Sequence, residues 1–279
     1  MREPGDSCNR RPESYMAQIF HRSANSFSRI SLMLVGLLLV VLGLTANELQ
    51  RSPYVTNQGV RPEQPVPFSH QHHVSGLGIQ CQYCHTSVEK ASFAGIPPTK
   101  TCMNCHSQIW TNADYLEPVR ASYRTGKPLV WTRVHDLPDY VYFSHEIHVN
   151  KGVGCQSCHG PVDRMAYMYQ HGSLQMEWCL NCHRNTAANL RPRSEIYNFA
   201  WEGPSLTNKV ACGIDPTSPR NEVVCRTAPK MEQAKALMAG MNLQDVQTFS
   251  DQQSFGEYLR KQYHVRDRYA IMSCETCHR

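Results

Sequence analysis

The chain has 279 residues, 41% hydrophobic and 18% charged, with a formal net charge of +5. It holds one long uncharged apolar run, no dinucleotide-binding glycine fingerprint and no iron–sulfur cysteine pattern, which argues against a polytopic membrane protein and against the common hydride and cluster carriers. What stands out is thirteen cysteines and fourteen histidines, most of them in ordered patterns.

Residues 1–29 form a leader with five arginines, Arg2, Arg10, Arg11, Arg22 and Arg29. Residues 30–46 (ISLMLVGLLLVVLGLTA) carry no charge and form the expected transmembrane anchor, at the short end of what spans a bilayer. The next twenty residues carry only Arg51 and Arg61 as basic groups. The positive-inside rule therefore places the N-terminus in the cytoplasm and exports the rest. A cleaved signal peptide is the competing reading. A cut after Ala46 would need a small residue where Leu44 stands, and a cut after Thr45 relies on Gly43. Residues 47–67, rich in proline, asparagine and glutamine, read as an extended linker.

Beyond the linker, two cysteines three apart, followed directly by a histidine, occur five times: Cys81/Cys84/His85, Cys102/Cys105/His106, Cys155/Cys158/His159, Cys179/Cys182/His183 and Cys274/Cys277/His278. C-x-x-C-H is the attachment signature of c-type haem, with the thiols as thioethers and the histidine as proximal iron ligand. Five covalently bound c-type haems are expected, and in bacteria these are attached on the outer side of the inner (cytoplasmic) membrane, which agrees with a periplasmic haem domain. A zinc ribbon competes, because the gaps from Cys84 to Cys102 and from Cys158 to Cys179 fit paired CxxC spacing. Zinc has no use for a histidine after every pair, an odd number of pairs leaves one over, and the surplus histidines have no role in a closed tetrahedral site.

The segment FSHxxHV also recurs, at Phe68–Val74 and Phe143–Val149, each time followed by two CxxCH motifs. This duplication defines a first dihaem unit at 68–142 and a second at 143–190. His70 with His73, and His145 with His148, are spaced to lie on one side of a helical turn, so each pair can serve two adjacent irons as distal ligands. For the fifth iron, His264, His135 and Met176 are the candidates, with His72 and His171 outside the pattern. His264 precedes Cys274 by the ten residues that separate His145 from Cys155. Met176 would give a His/Met site of raised potential.

Residues 191–263 form a motif-free insert, and 264–279 carry the fifth motif. Cys212 and Cys225, the unassigned cysteines on the exported side, are 13 positions apart and are expected to form a disulfide, whereas Cys8 lies in the leader. Helices are expected at Met231–Met241 and Ser250–Tyr263, with Ser250 as cap. In the second, Phe255, Tyr258, Leu259 and Gln262 form a stripe expected to pack on the haem core. The fold class is thus mainly α with extensive irregular loops and almost no sheet, a duplicated multihaem arrangement plus one N-terminal transmembrane helix.

All five motifs keep their histidine and spare histidines outnumber the irons, so no catalytic haem is expected and the chain reads as an electron conductor. Ten haem propionates and five ferric centres bring the net charge to about zero, so the basic sequence is no argument for a nucleic-acid partner.

The run FSHQHHV–CQYCHTSVEKASFAGIPPTKTCMNCH, then RVHDLPDYVYFSHEIHVNKGVGCQSCHG and LQMEWCLNCHR, resembles the pentahaem cytochrome c subunit of bacterial alternative complex III. The HxxH–CxxCH layout by itself is shared with small cytochromes of the c3 and c7 kind. The resemblance covers His70 to His183 strongly and the insert weakly. It implies a quinol:electron-acceptor oxidoreductase in which this chain works beside an iron–sulfur subunit, polytopic quinol-binding membrane subunits and a monohaem cytochrome c. Two other functions compete. A stand-alone membrane-anchored multihaem quinol dehydrogenase shares the single anchor, but about 34 residues separate that anchor from Cys81. Pentahaem nitrite reductases share only the haem count and use a CxxCK motif absent here.

Overall fold

The computed structural model describes residues 19–278. Arg2, Cys8, Arg10 and Arg11 of the leader lie outside the described residues. The chain divides into two units, residues 1–50 and residues 51–279. In the first, α1 (Ser23–Arg51) is 29 residues long, about 43 Å at 1.5 Å per residue. It is long and apolar enough to cross a membrane, and none of its residues is buried. The helix runs past both bounds of the uncharged 30–46 segment. Its flanking turns are rich in Ser, Asn, Arg, Glu and Gln, which are compatible with a helix although they end the apolar run.

The second unit begins differently from the expected linker. A short helix α2 (Pro53–Thr56) is closed by Asn57 in the left-handed region, φ 56°. Gln58 then pairs with Gln170 in a parallel bridge, its side chain donating to the carbonyl of His171 at 2.8 Å. Gln64 exchanges two hydrogen bonds with Thr132, each 2.9 Å, and Val66 is buried. Glutamine amides, which mimic a peptide group, fasten this stretch onto the body, so it is extended but not free.

The following helices are short: α3 (Cys81–Cys84), α4 (Thr99–His106), α5 (Glu117–Thr125), α6 (His145–Asn150), α7 (Gln156–His159), α8 (Met176–Arg184) and α9 (Met231–Ala236). The others are α10 (Gln252–Gln262), α11 (Arg268–Ile271) and α12 (Cys274–Cys277). Irregular loops connect them. The first FSHxxHV copy forms a π-helical turn, Gln71–Gly76, where the second forms α6.

The insert corrects the expectation of almost no sheet. Strands β1 (Lys209–Ile214), β2 (Val223–Ala228) and β3 (Gln244–Phe249) make an antiparallel sheet of order β2-β1-β3. Val210, Val223 and Val224 favour strand, and the intervening DPTSPRN turns the chain back. Cys212 and Cys225 are direct cross-strand partners joined by a disulfide. β3 is mostly solvent-facing and polar, so its sequence carries no alternation to read.

The largest buried cluster lies here: Leu190, Val210, Cys212, Val223, Cys225 and Phe249 meet Phe255, Tyr258, Leu259 and Tyr263 of α10 and its end. The α10 stripe therefore packs on the sheet and on the loop around Leu190, not onto the motif-bearing turns. Gly256 makes this possible, since a Cβ there would collide with the carbonyl of Ala187. The cap of α10 is Asp251, not Ser250; its carboxylate accepts from the Ser254 amide at 2.8 Å, as the preferred acidic N-cap does.

Replacing both Cys212 and Cys225 by alanine is expected to lower the unfolding free energy by about 3 kcal/mol, the chain-entropy value for a loop of this length. Denaturant titration followed by far-ultraviolet circular dichroism measures it, and the ten motif cysteines are untouched.

Candidate haem-binding site

Each CxxC pair lies on a helical turn. α3 and α12 span their pairs, α7 begins one residue after Cys155, and α4 and α8 carry theirs in the last two turns. One turn brings cysteines i and i+3 to the same side and delivers the histidine just beyond. The backbone closes on this geometry: the amides of His85, His159 and His278 donate to the carbonyls of Cys81, Cys155 and Cys274 at 2.8–2.9 Å. The five turns bury none of their own residues fully.

The imidazoles are oriented by backbone carbonyls. Nδ1 donates to Gly95 O from His85 (2.7 Å), to Ile109 O from His106 (3.2 Å), to Ile271 O from His183 (2.9 Å) and to Tyr140 O from His278 (3.0 Å). In the FSHxxHV segments His73 donates to Ser69 O (2.8 Å), His145 to Ser92 O (2.9 Å) and His148 to Ser144 O (2.7 Å). A carbonyl can only accept, so the proton sits on Nδ1 and Nε2 keeps its lone pair. This arrangement fixes tautomer and ring direction in metal-ligating histidines. His70 departs from it, with Nδ1 buried and unpartnered.

Both FSHxxHV copies repeat one ring geometry. Phe68 meets His70 edge-on at 4.9 Å (88°) and stacks on His73 at 4.5 Å (23°). Phe143 meets His145 edge-on at 4.8 Å (89°) and stacks on His148 at 4.5 Å (26°). The phenylalanine is thus a wedge holding both imidazoles, and the serine after it supplies the carbonyl for the second. Sequence reasoning noted the repeat without assigning these roles; the identical Phe-Ser in both copies was the signal.

Ring spacings test whether these residues fit haem. With metal–nitrogen bonds of about 2 Å and a ring radius of roughly 1.1 Å, two imidazoles on opposite faces of one iron have centroids about 6.2 Å apart. His73 and His106 are 6.3 Å apart, His148 and His183 6.2 Å, and His145 and His159 6.2 Å. The residues fit bis-histidine iron. His135, by contrast, lies 4.4 Å from His159 at 73°, too close for an iron between them.

Burial keeps the central imidazoles neutral. It pushes His159 down to about 3, helped by His135, His145, His85 and His70, and His70 and His135 each down to about 4. Burial also raises the Cys155 and Cys158 thiols to about 12. Among the described residues no three His, Cys, Asp or Glu side chains converge as a zinc ribbon requires.

The candidates for the fifth iron are dispersed. His264 is in the left-handed region at φ 50°, its carbonyl accepting from Lys151; it makes no ring contact with His278, which packs on Tyr140 instead. His135 is beside His159. Met176 opens α8 and is largely exposed. His72 stacks on Trp110.

A family described as "Cytochrome c7 and related cytochrome c" matches residues 141–214. The chain is also similar to the "Menaquinone reductase, multiheme cytochrome c subunit" of Nitratidesulfovibrio vulgaris, 36% identical over 126 residues. That similarity covers 45% of this chain and 53% of the relative, so the chain spans about half the length of that protein. The fold class is accordingly c7-like and multihaem: short helices and irregular loops with several covalently bound c-type haems, and one N-terminal apolar helix that is a membrane anchor or a signal sequence.

Gly95 sits at φ +85° and presents the carbonyl that orients His85. Gly95→Ala would bring its Cβ to 2.8 Å from Ser87 Oγ in a conformation that favours glycine. The expected cost is about 1 kcal/mol or more, read by denaturant titration of the holoprotein.

Proposed function

We propose that this chain is a membrane-anchored pentahaem cytochrome c that conducts electrons from quinol oxidation in partner subunits to a periplasmic cytochrome c or similar acceptor. The observation carrying the proposal is the set of three histidine pairs at about 6.2 Å, five of whose six rings have Nδ1 tied to a carbonyl. Each bound haem supplies a one-electron carrier.

The residues take the following roles. Cys81, Cys84, Cys102, Cys105, Cys155, Cys158, Cys179, Cys182, Cys274 and Cys277 hold the thioethers. His85, His106, His159, His183 and His278 are the proximal ligands. The second histidine of each FSHxxHV faces the second motif of its unit, so His73 pairs with His106 and His148 with His183. The first pairs with the first motif: His145 with His159 and, by the duplication, His70 with His85. For the fifth iron, Met176 stands one helical turn before Cys179, whose thiol neighbours Cys277. That favours Met176 over His264 and His135.

Bis-histidine sites have no open position for substrate, which supports conduction. The residue resemblance supports reading the complex as an alternative complex III, with an iron–sulfur subunit, polytopic quinol-binding subunits and a monohaem cytochrome c as partners. In it α1 anchors the chain in the bacterial inner membrane, N-terminus in the cytoplasm. The name of the Nitratidesulfovibrio relative favours a second reading, in which electrons run through such a cytochrome toward menaquinone.

Several measurements test this. Pyridine haemochrome assay and intact mass of the purified chain are expected to give five haems. In the detergent-extracted complex, quinol is expected to reduce all five haems only when the partner subunits are present. Reduction of the isolated chain by quinol would instead establish a stand-alone quinol dehydrogenase, and reduction of menaquinone without the reverse reaction would establish the second reading. Met176→Leu is expected to turn one of five low-spin electron paramagnetic resonance signals high-spin; five unchanged signals would remove Met176 as a ligand.

A further inference from the structure

We infer that the five CxxCH sites form one unbranched row, in the order 102–106, 81–85, 155–159, 179–183, 274–278, with α4 and α12 at its ends. The inference rests on the reading of these motifs as haem sites and adds their connectivity, which differs from their order in the chain.

Each junction has its own contacts. Between the first two sites, Asn104 Nδ2 donates to Tyr83 Oη at 3.1 Å. The shared FSHxxHV turn supplies His73, facing His106 at 6.3 Å, and His70, the neighbour of His85. Histidines three apart on a turn lie within about 5–6 Å of each other at Cβ, so their two sites must be adjacent.

The next junction joins the duplicated units through their first motifs. Cys155 packs in one apolar cluster with Val88, Val149 and Ile196. His145 is held by Ser92 O through both its amide and its Nδ1, at 3.0 and 2.9 Å. Asn150 donates to Glu89 O at 2.9 Å, and Tyr197 to the Glu89 carboxylate at 2.8 Å. The loop after His85 is therefore seated on the segment around Cys155.

Between the third and fourth sites, α6 repeats the logic of the first turn. His145 faces His159 and His148 faces His183, each at 6.2 Å. At the last junction His183 Nδ1 donates to Ile271 O at 2.9 Å, and α8 packs against α11, three residues before the fifth motif. The same end is tied back to the residues preceding α6: Tyr142 donates its amide to Cys277 O at 2.8 Å, and His278 donates to Tyr140 O at 3.0 Å. The contacts at the 102–106 site run to the first unit, so this site ends the row.

An end site has one neighbour and an interior site has two, and this can be counted. Neighbouring haems shift each other's potentials electrostatically. In the purified complex His73→Met, acting at the end, is expected to raise its own haem's potential and to displace that of one other haem. His148→Met, acting inside the row, is expected to displace two others. Haem-resolved redox titration by paramagnetic NMR reads both. Displacement of two other haems by His73→Met, or of one by His148→Met, overturns the order. If neither variant alters the low-spin signal of any haem, the ligand assignment fails instead. Should a variant not mature, the wild-type complex decides: the row requires four strong pairwise couplings, two haems showing one each and three showing two each. A haem with three couplings, or a closed ring of five, overturns it.

Discussion

The hydrogen bond from imidazole Nδ1 to a main-chain carbonyl is the constraint on which the rest of this molecule depends. An unrestrained histidine on an irregular loop has two tautomers and free ring rotation. A carbonyl acceptor removes both freedoms and leaves Nε2 as a neutral lone pair. Because the acceptors Gly95, Ile271 and Tyr140 belong to backbone 10, 88 and 138 residues from their histidines, satisfying them also folds the chain. The loops between motifs are consequently positioned by the same bonds that aim the rings. A connector that looks structureless in sequence is thus held at defined points.

The FSHxxHV segments show how much one short motif can fix. Phenylalanine orients two imidazoles by one edge contact and one stacked contact, a preference that follows from the ring quadrupole. Serine contributes its carbonyl to the second imidazole. The two copies agree to within 0.1 Å and about 3° in these ring contacts although one is π-helical and the other α-helical. Side-chain geometry is the same in both copies where backbone class is not, in agreement with the ligand-positioning role proposed for these histidines.

The motif cysteines and histidines, the apolar N-terminal segment and the internal duplication were legible in the sequence because each is a local spacing. The sheet of the insert was not. β3 is QDVQTF, polar and solvent-facing, and acquires its strand conformation by pairing with β1 across register points such as Val210 with Phe249. The destination of the α10 stripe was equally hidden: periodicity names the buried face of a helix but not its partner. Likewise Gln58 and Gln64 read as linker residues, and only their main-chain partners Gln170, His171 and Thr132 show them to be fasteners. Fifth-site ligation is the analogous case within the site, because His264, His135 and Met176 are all suitable by residue type and the ten-residue spacing that singles out His264 says nothing of its neighbours in space.

The insert also has a mechanical consequence for the second dihaem unit. Arg193 lies over the Tyr263 ring at 4.3 Å, donates to the carbonyl of Asn150 at 2.8 Å and pairs with Glu222 at 3.2 Å. Lys151 donates to the carbonyl of Tyr263 at 2.7 Å, and the Arg191 amide donates to Gly152 O at 2.9 Å. The end of α6, where terminal carbonyls lack helical partners, is therefore capped from residues that the disulfide-braced sheet and α10 hold in place. α6 is only six residues long, too short to be stable alone, yet it carries both His145 and His148. Its rigidity must come from outside, and the contacts place that source in the insert at its C-terminal end and in the loop after His85, through Ser92 and Glu89. A segment without a single CxxCH motif thereby sets the precision with which two neighbouring histidines are presented.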